Sequence, residues 1–250
     1  MAALLALSLL LTLEPQAPFL EASPMQRFVQ AGAAFRSGDL ETACTLYQAL
    51  LDEGFDHGEL HYNYGNALLQ HGQLGQSIVH YLHALSLMPR NEDVRANLAF
   101  ARSQTKDALA PPTPSPILQA LFFWHYSFST LELLHVVVGV NVMFWLLLAI
   151  ALWWRLLSRP MMRAALVTTF VLLMLLTPSW LIHTLAPTRI VVVTSERVPV
   201  YAGISTSAPI RFWLHDGAEA RLLAMEDNFV RLALSDGNQG WIERKDIDWF

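Results

Sequence analysis

The sequence predicts a multidomain membrane protein in which an α-helical repeat domain, a two-helix transmembrane hairpin and a small C-terminal β-barrel follow one another. Three observations predict it. Two unbroken apolar segments, Leu133 to Trp154 and Ala164 to Leu185, are each about 22 residues long, enough to cross a hydrocarbon core of about 30 Å as a helix. Before them the chain repeats itself at a fixed offset between Pro24 and Asn91, and after Pro187 it changes to short β-rich runs separated by turn signals. Of the 250 residues 54% are hydrophobic, and nearly all charges fall before residue 108 or after residue 188. The net charge of -5 is spread over both flanks without a basic stripe, which argues against nucleic acid as a partner. A single cysteine, Cys44, excludes an intrachain disulfide and a multi-cysteine zinc site.

Residues 1–22 begin with the apolar run Met1 to Leu13 and continue through Glu14-Pro15-Gln16-Ala17-Pro18. A run this short suits a secretory signal peptide or an N-terminal anchor, and either sends the next segment across the membrane.

Residues 24–109 form the helical repeat domain, with repeats at 24–57 and 58–91 and a capping helix at 92–109. Gly38, Leu40, Ala43 and Tyr47 recur 34 positions later as Gly72, Leu74, Ser77 and Tyr81. In the second copy Tyr64-Gly65 sits where two helices must approach closely, and Ser77, Tyr81, Ala84 and Pro89 fall at small, aromatic, small and helix-ending positions. This pattern resembles the tetratricopeptide family over about 70 residues. The first copy departs from it, with Ala31 beside Gly32 at the close-packing position and Phe55 where proline is usual, and reads as an atypical terminal repeat. Asn91 is the expected N-cap of the capping helix.

The resemblance implies a concave groove lined by the first helix of each repeat. Its lining would be Phe28, Gly32 and Phe35 from the first copy and Tyr62, Asn66 and Leu69 from the second. Asn97 follows at the matching place in the next unit, and an asparagine pair can hold a peptide amide with both donor and acceptor. The lysines that make a carboxylate clamp in some members are absent, with Tyr62 in one such place. The competing reading is that Asn63, Asn66 and Asn97 only satisfy buried groups between helices.

Residues 110–116 hold four prolines and read as a semi-rigid extended linker. Residues 117–130, with Leu121-Phe-Phe-Trp-His-Tyr126 and Phe128, are expected to form an interfacial helix, because Trp and Tyr favour the membrane boundary. The spans are 131–154 and 164–185. The loop between them, 155–163, carries Arg155, Arg159 and Arg163 and no acid, which marks it as cytoplasmic and sets the topology. The domains on both flanks are then periplasmic, in a multi-pass protein of the bacterial inner membrane. Within the spans His135, Asn141, Thr168, Thr169, Pro178 and His183 are the polar or helix-breaking residues, too few for a proton pathway and expected to make contacts between the helices.

Residues 188–250 are expected to form the barrel from five strands: Ile190 to Thr194, Arg197 to Tyr201, Ala220 to Met225, Phe229 to Leu234 and Gln239 to Glu243. The ending, with Gly240-Trp241-Ile242 and a final turn at Asp246-Ile247, resembles the closing hairpin of a bacterial SH3 domain. Trp213, Phe229, Trp241, Trp249 and Phe250 are expected as core or rim aromatics.

His57, His61, His71, His80 and His83 invite a metal hypothesis, but no acidic or cysteine ligand accompanies His80 and His83 in the local pattern, and no metal site is expected. A Gly-Lys-Ser/Thr phosphate loop, a Gly-x-Ser-x-Gly elbow and a spaced Cys-His pair are all missing, so the chain is read as non-enzymatic, without catalytic residues or cofactor. The order of modules, together with Tyr62-Asn-Tyr-Gly-Asn-Ala67, Ala96-Asn-Leu98 and Phe123-Trp124, resembles the BatE-type proteins of bacterial aerotolerance operons. That resemblance implies an envelope-stress complex with von Willebrand factor A-type membrane proteins and a MoxR-type ATPase, in which this chain is a protein-binding scaffold contacting membrane lipid. The alternative is a cell-wall protein that binds peptidoglycan through the SH3-like domain.

Overall fold

A computed structural model describes residues 23–107, 109–110, 115–185 and 189–250. The expected signal or anchor and most of the Pro-rich linker lie outside them. The chain divides after Phe55 into two compact units.

The N-terminal unit is a helical hairpin of α1 (Pro24–Ser37) and α2 (Leu40–Asp52). Ser23 and Gln26 close a capping box at the start of α1, whose first residue is a proline, the position where a missing N–H costs nothing. Gly38 ends α1 with φ 83°, a left-handed conformation that glycine adopts without a Cβ penalty. Asp39 then caps α2. Ala31 and Ala43 are fully buried and small enough to let the helices approach, and Arg27 is paired with Glu53.

The second unit opens with α3 (Gly58–Gln70), α4 (Leu74–Leu87) and α5 (Glu92–Ser103). Gly72 has φ 85°, so the repeated glycines Gly38 and Gly72 make the same turn in the two hairpins. Ser77, Tyr81 and Ala84 are fully buried, and a Cβ on Gly65 would come within 2.8 Å of the Tyr81 ring. The recurring residues are thus those at the helix crossing. His57 precedes α3 as its N-cap residue, and Gly58 is the first residue of the helix. Asn91 caps α5 through Val94 N–H at 3.1 Å. This helix stops at Ser103 instead of continuing to 109, because the chain turns toward the C-terminal sheet. There Asp107 accepts from His215 N–H at 2.7 Å and Leu109 packs on the sheet core.

The expected interfacial helix is two short helices, α6 (Pro116–Leu121) and α7 (Phe123–Ser127), separated at Phe122 by a non-helical ψ of 43°. The two long apolar helices are α8 (Thr130–Trp153) and α9 (Pro160–Leu185), of 24 and 26 residues, both long and apolar enough to cross a membrane. Ser129 and Glu132 form a capping box at the start of α8. The turn between the helices is shorter than expected: a 3-10 turn covers Leu156–Ser158, and α9 already starts at Pro160, which puts Arg163 on the helix. Thr169 bonds back to Ala165 O within α9 at 3.0 Å, so its hydroxyl serves its own helix. At the other end α9 meets both α7 and α8: His125 Nδ1 lies 2.8 Å from Ser179 Oγ, His183 Nε2 donates to His125 O at 2.8 Å, and His183 Nδ1 lies 3.5 Å from Thr130 Oγ1.

The C-terminal region is one seven-stranded antiparallel sheet: β1 (Ile190–Val193), β2 (Arg197–Tyr201), β3 (Ile210–His215), β4 (Glu219–Glu226), β5 (Phe229–Ala233), β6 (Gln239–Glu243) and β7 (Ile247–Trp249). The order is β3-β2-β6-β5-β4-β1-β7. Five strands agree with the sequence reading; β3 and β7 are additional. The expected closed barrel is an open sheet by its pairing, because the 3-10 turn Arg244–Asp246 returns β7 to β1 and leaves β3 on the opposite edge. Register shifts at Val200/Tyr201 and Leu222/Ala224 bend the sheet around Val191, Val198, Val200, Val230, Leu232 and Ile242.

This sheet docks on the helices of the second unit. Val192 joins Ile78, Tyr81, Leu82 and Leu98 in one apolar cluster. The N-terminus of α4 has no cap from its own chain neighbour Gln73; instead Asp216, in the β3–β4 turn, accepts from Gly75 N–H at 2.9 Å. A side chain at residue 75 would collide with Val193 O and the Asp216 carboxylate. Gly75→Ala should therefore destabilise the second unit by about 2 kcal/mol through overpacking against backbone. Thermal unfolding read beside Gly72→Ala, which has nothing within 4 Å but a left-handed φ, separates this clash from turn strain.

Candidate functional site: a polar seam between α3 and α5

Tyr62, Asn66 and Leu69 lie on α3 and Asn97 on α5, all partly exposed. The helix spacing puts residues 62, 66 and 69 on one face of α3, and the turn through Asn91 brings α5 alongside. Asn97 Nδ2 donates to Asn66 Oδ1 at 2.8 Å and to Tyr62 Oη at 3.2 Å. Tyr81, from α4, donates its hydroxyl to the same Asn66 Oδ1 at 2.7 Å. Burial pushes the Tyr81 hydroxyl well above the usual tyrosine range, with the neighbouring Tyr62 adding to it, so it stays a donor.

The bond inventory of this seam is uneven. Asn66 Oδ1 accepts twice and both Asn97 amide hydrogens are used, whereas Asn66 Nδ2 and Asn97 Oδ1 have no partner among the described residues. A donor and an acceptor remain on two side chains already fixed by their other bonds. Such a pair matches a peptide amide, which offers one C=O and one N–H. The two asparagines therefore tie α3 to α5 and keep one polar edge each. Tyr81 was legible only as a packing aromatic of the repeat; its hydroxyl role depends on α4 crossing α3.

The remaining residues separate. Leu69 packs against the apolar cluster around Ile78, as does the Tyr62 ring. Phe28 and Phe35 are on α1 in the N-terminal unit, where Phe28 meets Tyr47 edge-on at 6.0 Å. Cys44 is in the same unit, and burial raises its thiol pKa, which disfavours the reactive thiolate. Arg155, Arg159 and Arg163 are exposed at the turn end of the hairpin.

The histidines form a second polar group. His61 Nε2 is 3.1 Å from Asp56 Oδ1, and His61 Nδ1 is 2.9 Å from His80 Nδ1. With His61 donating to Asp56, its Nδ1 must be the acceptor and His80 Nδ1 the donor. His83 stacks on His61 at 4.8 Å and meets Phe250 at right angles at 5.1 Å. Burial lowers the pKa of His61 and His83, and burial with the two neighbouring imidazoles lowers His80 to about 3. Among the described residues no group of three or more His, Cys, Asp or Glu side chains is placed to hold a metal.

On the sheet, Arg197 lies 4.2 Å over the Trp213 ring and Arg244 lies 4.8 Å over Trp249. Gly240 precedes Trp241 where β6 passes β2, and a Cβ there would collide with Val200. A polar cavity of about 370 Å³ lies at the helix-to-sheet junction, lined by Gly72, Gln73, Gln76, Thr194, Glu196 and Asp216. Comparison with known proteins finds no family model that matches this chain and no curated protein that matches it.

Proposed function

We propose that this chain is a non-enzymatic scaffold of the bacterial inner membrane that recruits protein segments through a tetratricopeptide-type helical module and an SH3-like sheet, both on the periplasmic side. The observation that carries the reading is the seam of Asn66 and Asn97, held rigid by Tyr62 and Tyr81 while offering one free donor and one free acceptor. Preorganised polar edges of this kind bind an extended peptide without paying to order the side chains.

Further support comes from how the modules are attached. Arg90, just before α5, donates to Ser127 O at 2.9 Å and pairs with Glu132 in the first turn of α8, the end of that helix remote from Arg155. The sheet follows the C-terminus of α9, at the same end of the hairpin. With the arginine turn in the cytoplasm, both modules face the periplasm. Partners in an aerotolerance or envelope-stress complex, von Willebrand factor A-type proteins and through them a MoxR-type ATPase, fit this placement. The recurring Gly38 and Gly72 turns support the tetratricopeptide reading, and the Gly240-Trp241 close approach supports the SH3-like one.

Asn66→Asp tests the seam, since it keeps an oxygen that accepts from Tyr81 and Asn97 and replaces the outward N–H donor by a negatively charged acceptor. Co-purification of envelope partners should fall about tenfold, the worth of roughly one hydrogen bond, with unchanged thermal stability. Full retention of partners by both Asn66→Asp and Asn66→Ala/Tyr62→Ala would remove the seam from the binding site. Topology has its own readout: alkaline phosphatase fused after Phe250 should be active.

A further inference from the structure

We propose that the turn end of the hairpin is a binding site for the phosphodiester headgroup of anionic glycerophospholipids, gripped by Arg155, Arg159 and Arg163; this rests on the membrane-spanning reading of α8 and α9. The three arginines come from three different pieces of backbone. Arg155 follows α8 in a left-handed conformation, φ 54°, which reverses the chain at once. Arg159 ends the 3-10 turn with an extended ψ of 124°, and Arg163 is in the first turn of α9. Spaced four apart in sequence, they would stack along one face of a continuous helix; the reversal instead sets them around a short cap.

Their charge is uncompensated. No Asp or Glu occurs between Glu132 and Glu196, so the nearest carboxylates in sequence are Glu132 in the first turn of α8 and Glu196 in the turn between β1 and β2. At 1.5 Å per residue, α8 runs about 32 Å from Glu132 to its end at Trp153, which keeps Glu132 well beyond a Debye length of about 8 Å from Arg155. Among the described residues none of the three arginines has a salt-bridge partner.

The surroundings set the depth of the site. Trp153 is 83% exposed, Trp154 63% and Met161 85%, and Leu157 is also exposed, so aromatic and apolar side chains interleave with the arginines. Tryptophans of this kind anchor at the headgroup level, where an adjacent guanidinium meets phosphate oxygens. The guanidinium fork matches two phosphate oxygens at once. Anionic headgroups lack the ammonium of zwitterionic ones, which would oppose three clustered positive charges. The start of α9 adds the positive end of a helix dipole to the same cap.

The test is lipid retention by the full chain, extracted in mild detergent, incubated with equal phosphatidylglycerol and phosphatidylcholine, and examined by native mass spectrometry. Phosphatidylglycerol should be retained at least tenfold over phosphatidylcholine, given about fivefold per basic residue at the surface, and the preference should shrink in high salt. Arg155→Gln/Arg159→Gln/Arg163→Gln should abolish the preference. The lysine triple variant keeps the charge and the topology signal, and should lose only severalfold through loss of the forked contacts. Equal retention of both lipids by the unaltered chain, or an undiminished preference in the glutamine variant, overturns the site. Displacement of phosphatidylglycerol by equimolar inorganic phosphate overturns the lipid as occupant in favour of a free phosphate. A chain that stays soluble without detergent would instead sink the membrane reading itself.

Discussion

Acidification from about pH 7 to about pH 4 should destabilise the second unit by about 3 kcal/mol, and His80→Gln should remove most of that loss. The effect follows from the imidazole group between α3 and α4. His80 has a folded pKa of about 3, below the ordinary 6.5. Over that interval the unfolded chain binds a proton at residue 80 that the folded chain refuses, so stability is full above about pH 6.5 and declines as the pH falls toward 3. The lowered pKa of His61 and of His83 acts in the same direction.

Geometry says what breaks. A hydrogen bond between His61 Nδ1 and His80 Nδ1 requires one bare nitrogen, and two imidazoliums at 2.9 Å would present two donors to each other. Of the groups around them, the Asp56 and Asp248 carboxylates favour protonation, while the stacked imidazoles and the Tyr64 ring beside His80 offer no counter-charge. Because His83 supports Phe250 at the end of β7, loosening should be felt at the sheet as well as between the helices. Unfolding followed against pH, for the unaltered chain and His80→Gln together, isolates this contribution from protonation of carboxylates near pH 4. Coincident curves for the two proteins would refute it.

Arg102→Met should cost the second unit about 3 kcal/mol and free the sheet from the helices before the sheet itself melts. Arg102 Nε and Nη2 meet the two oxygens of Glu219 at 2.6 and 2.7 Å, and the Glu219 side chain is only 5% exposed. Removing the guanidinium leaves a carboxylate held away from water without its partner, which is costlier than the net worth of the pair. Adding Glu219→Gln to Arg102→Met should recover part of the loss, because an amide needs no counter-charge. Protease sensitivity between Gln104 and Ala110 reports release, since this segment is tied to the sheet through the 2.7 Å bond from His215 N–H to Asp107. Equal stability of Arg102→Met and the unaltered chain would show that the apolar cluster around Val192 and Ile78 holds the dock alone.

The parts of this architecture that could be read from the chain are those written many times over. The two apolar helices are spelled by more than twenty residues each, and the helical hairpins by recurring pairs such as Gly38 with Gly72 and Tyr47 with Tyr81, which must serve the same turn and the same crossing. Five of the strands carried their own β-rich runs and turn residues. The edges were harder: β7 is three residues long, too short for a periodic signal, and β3 mixes exposed and buried positions. The break at Phe122 has no glycine or proline to announce it.

In the candidate site, Asn66 and Asn97 could be singled out through the tetratricopeptide resemblance, whereas their bond at 2.8 Å needs α5 to lie along α3. Tyr81 and the histidine group were not, since His61 and His80 meet only because α3 and α4 pack antiparallel. The docking of sheet on helix was invisible for a related reason. It is made by single residues, Gly75 with Asp216 and Arg102 with Glu219, separated by 141 and 117 positions. By itself the sequence determined what repeats: long apolar helices, helical hairpins and most strands, because an apolar span or a helix crossing constrains every turn of the chain. Only the tertiary structure decided which capless helix end, which buried carboxylate and which bare imidazole nitrogen found a partner. Each such need is local, but many distant residues could have met it.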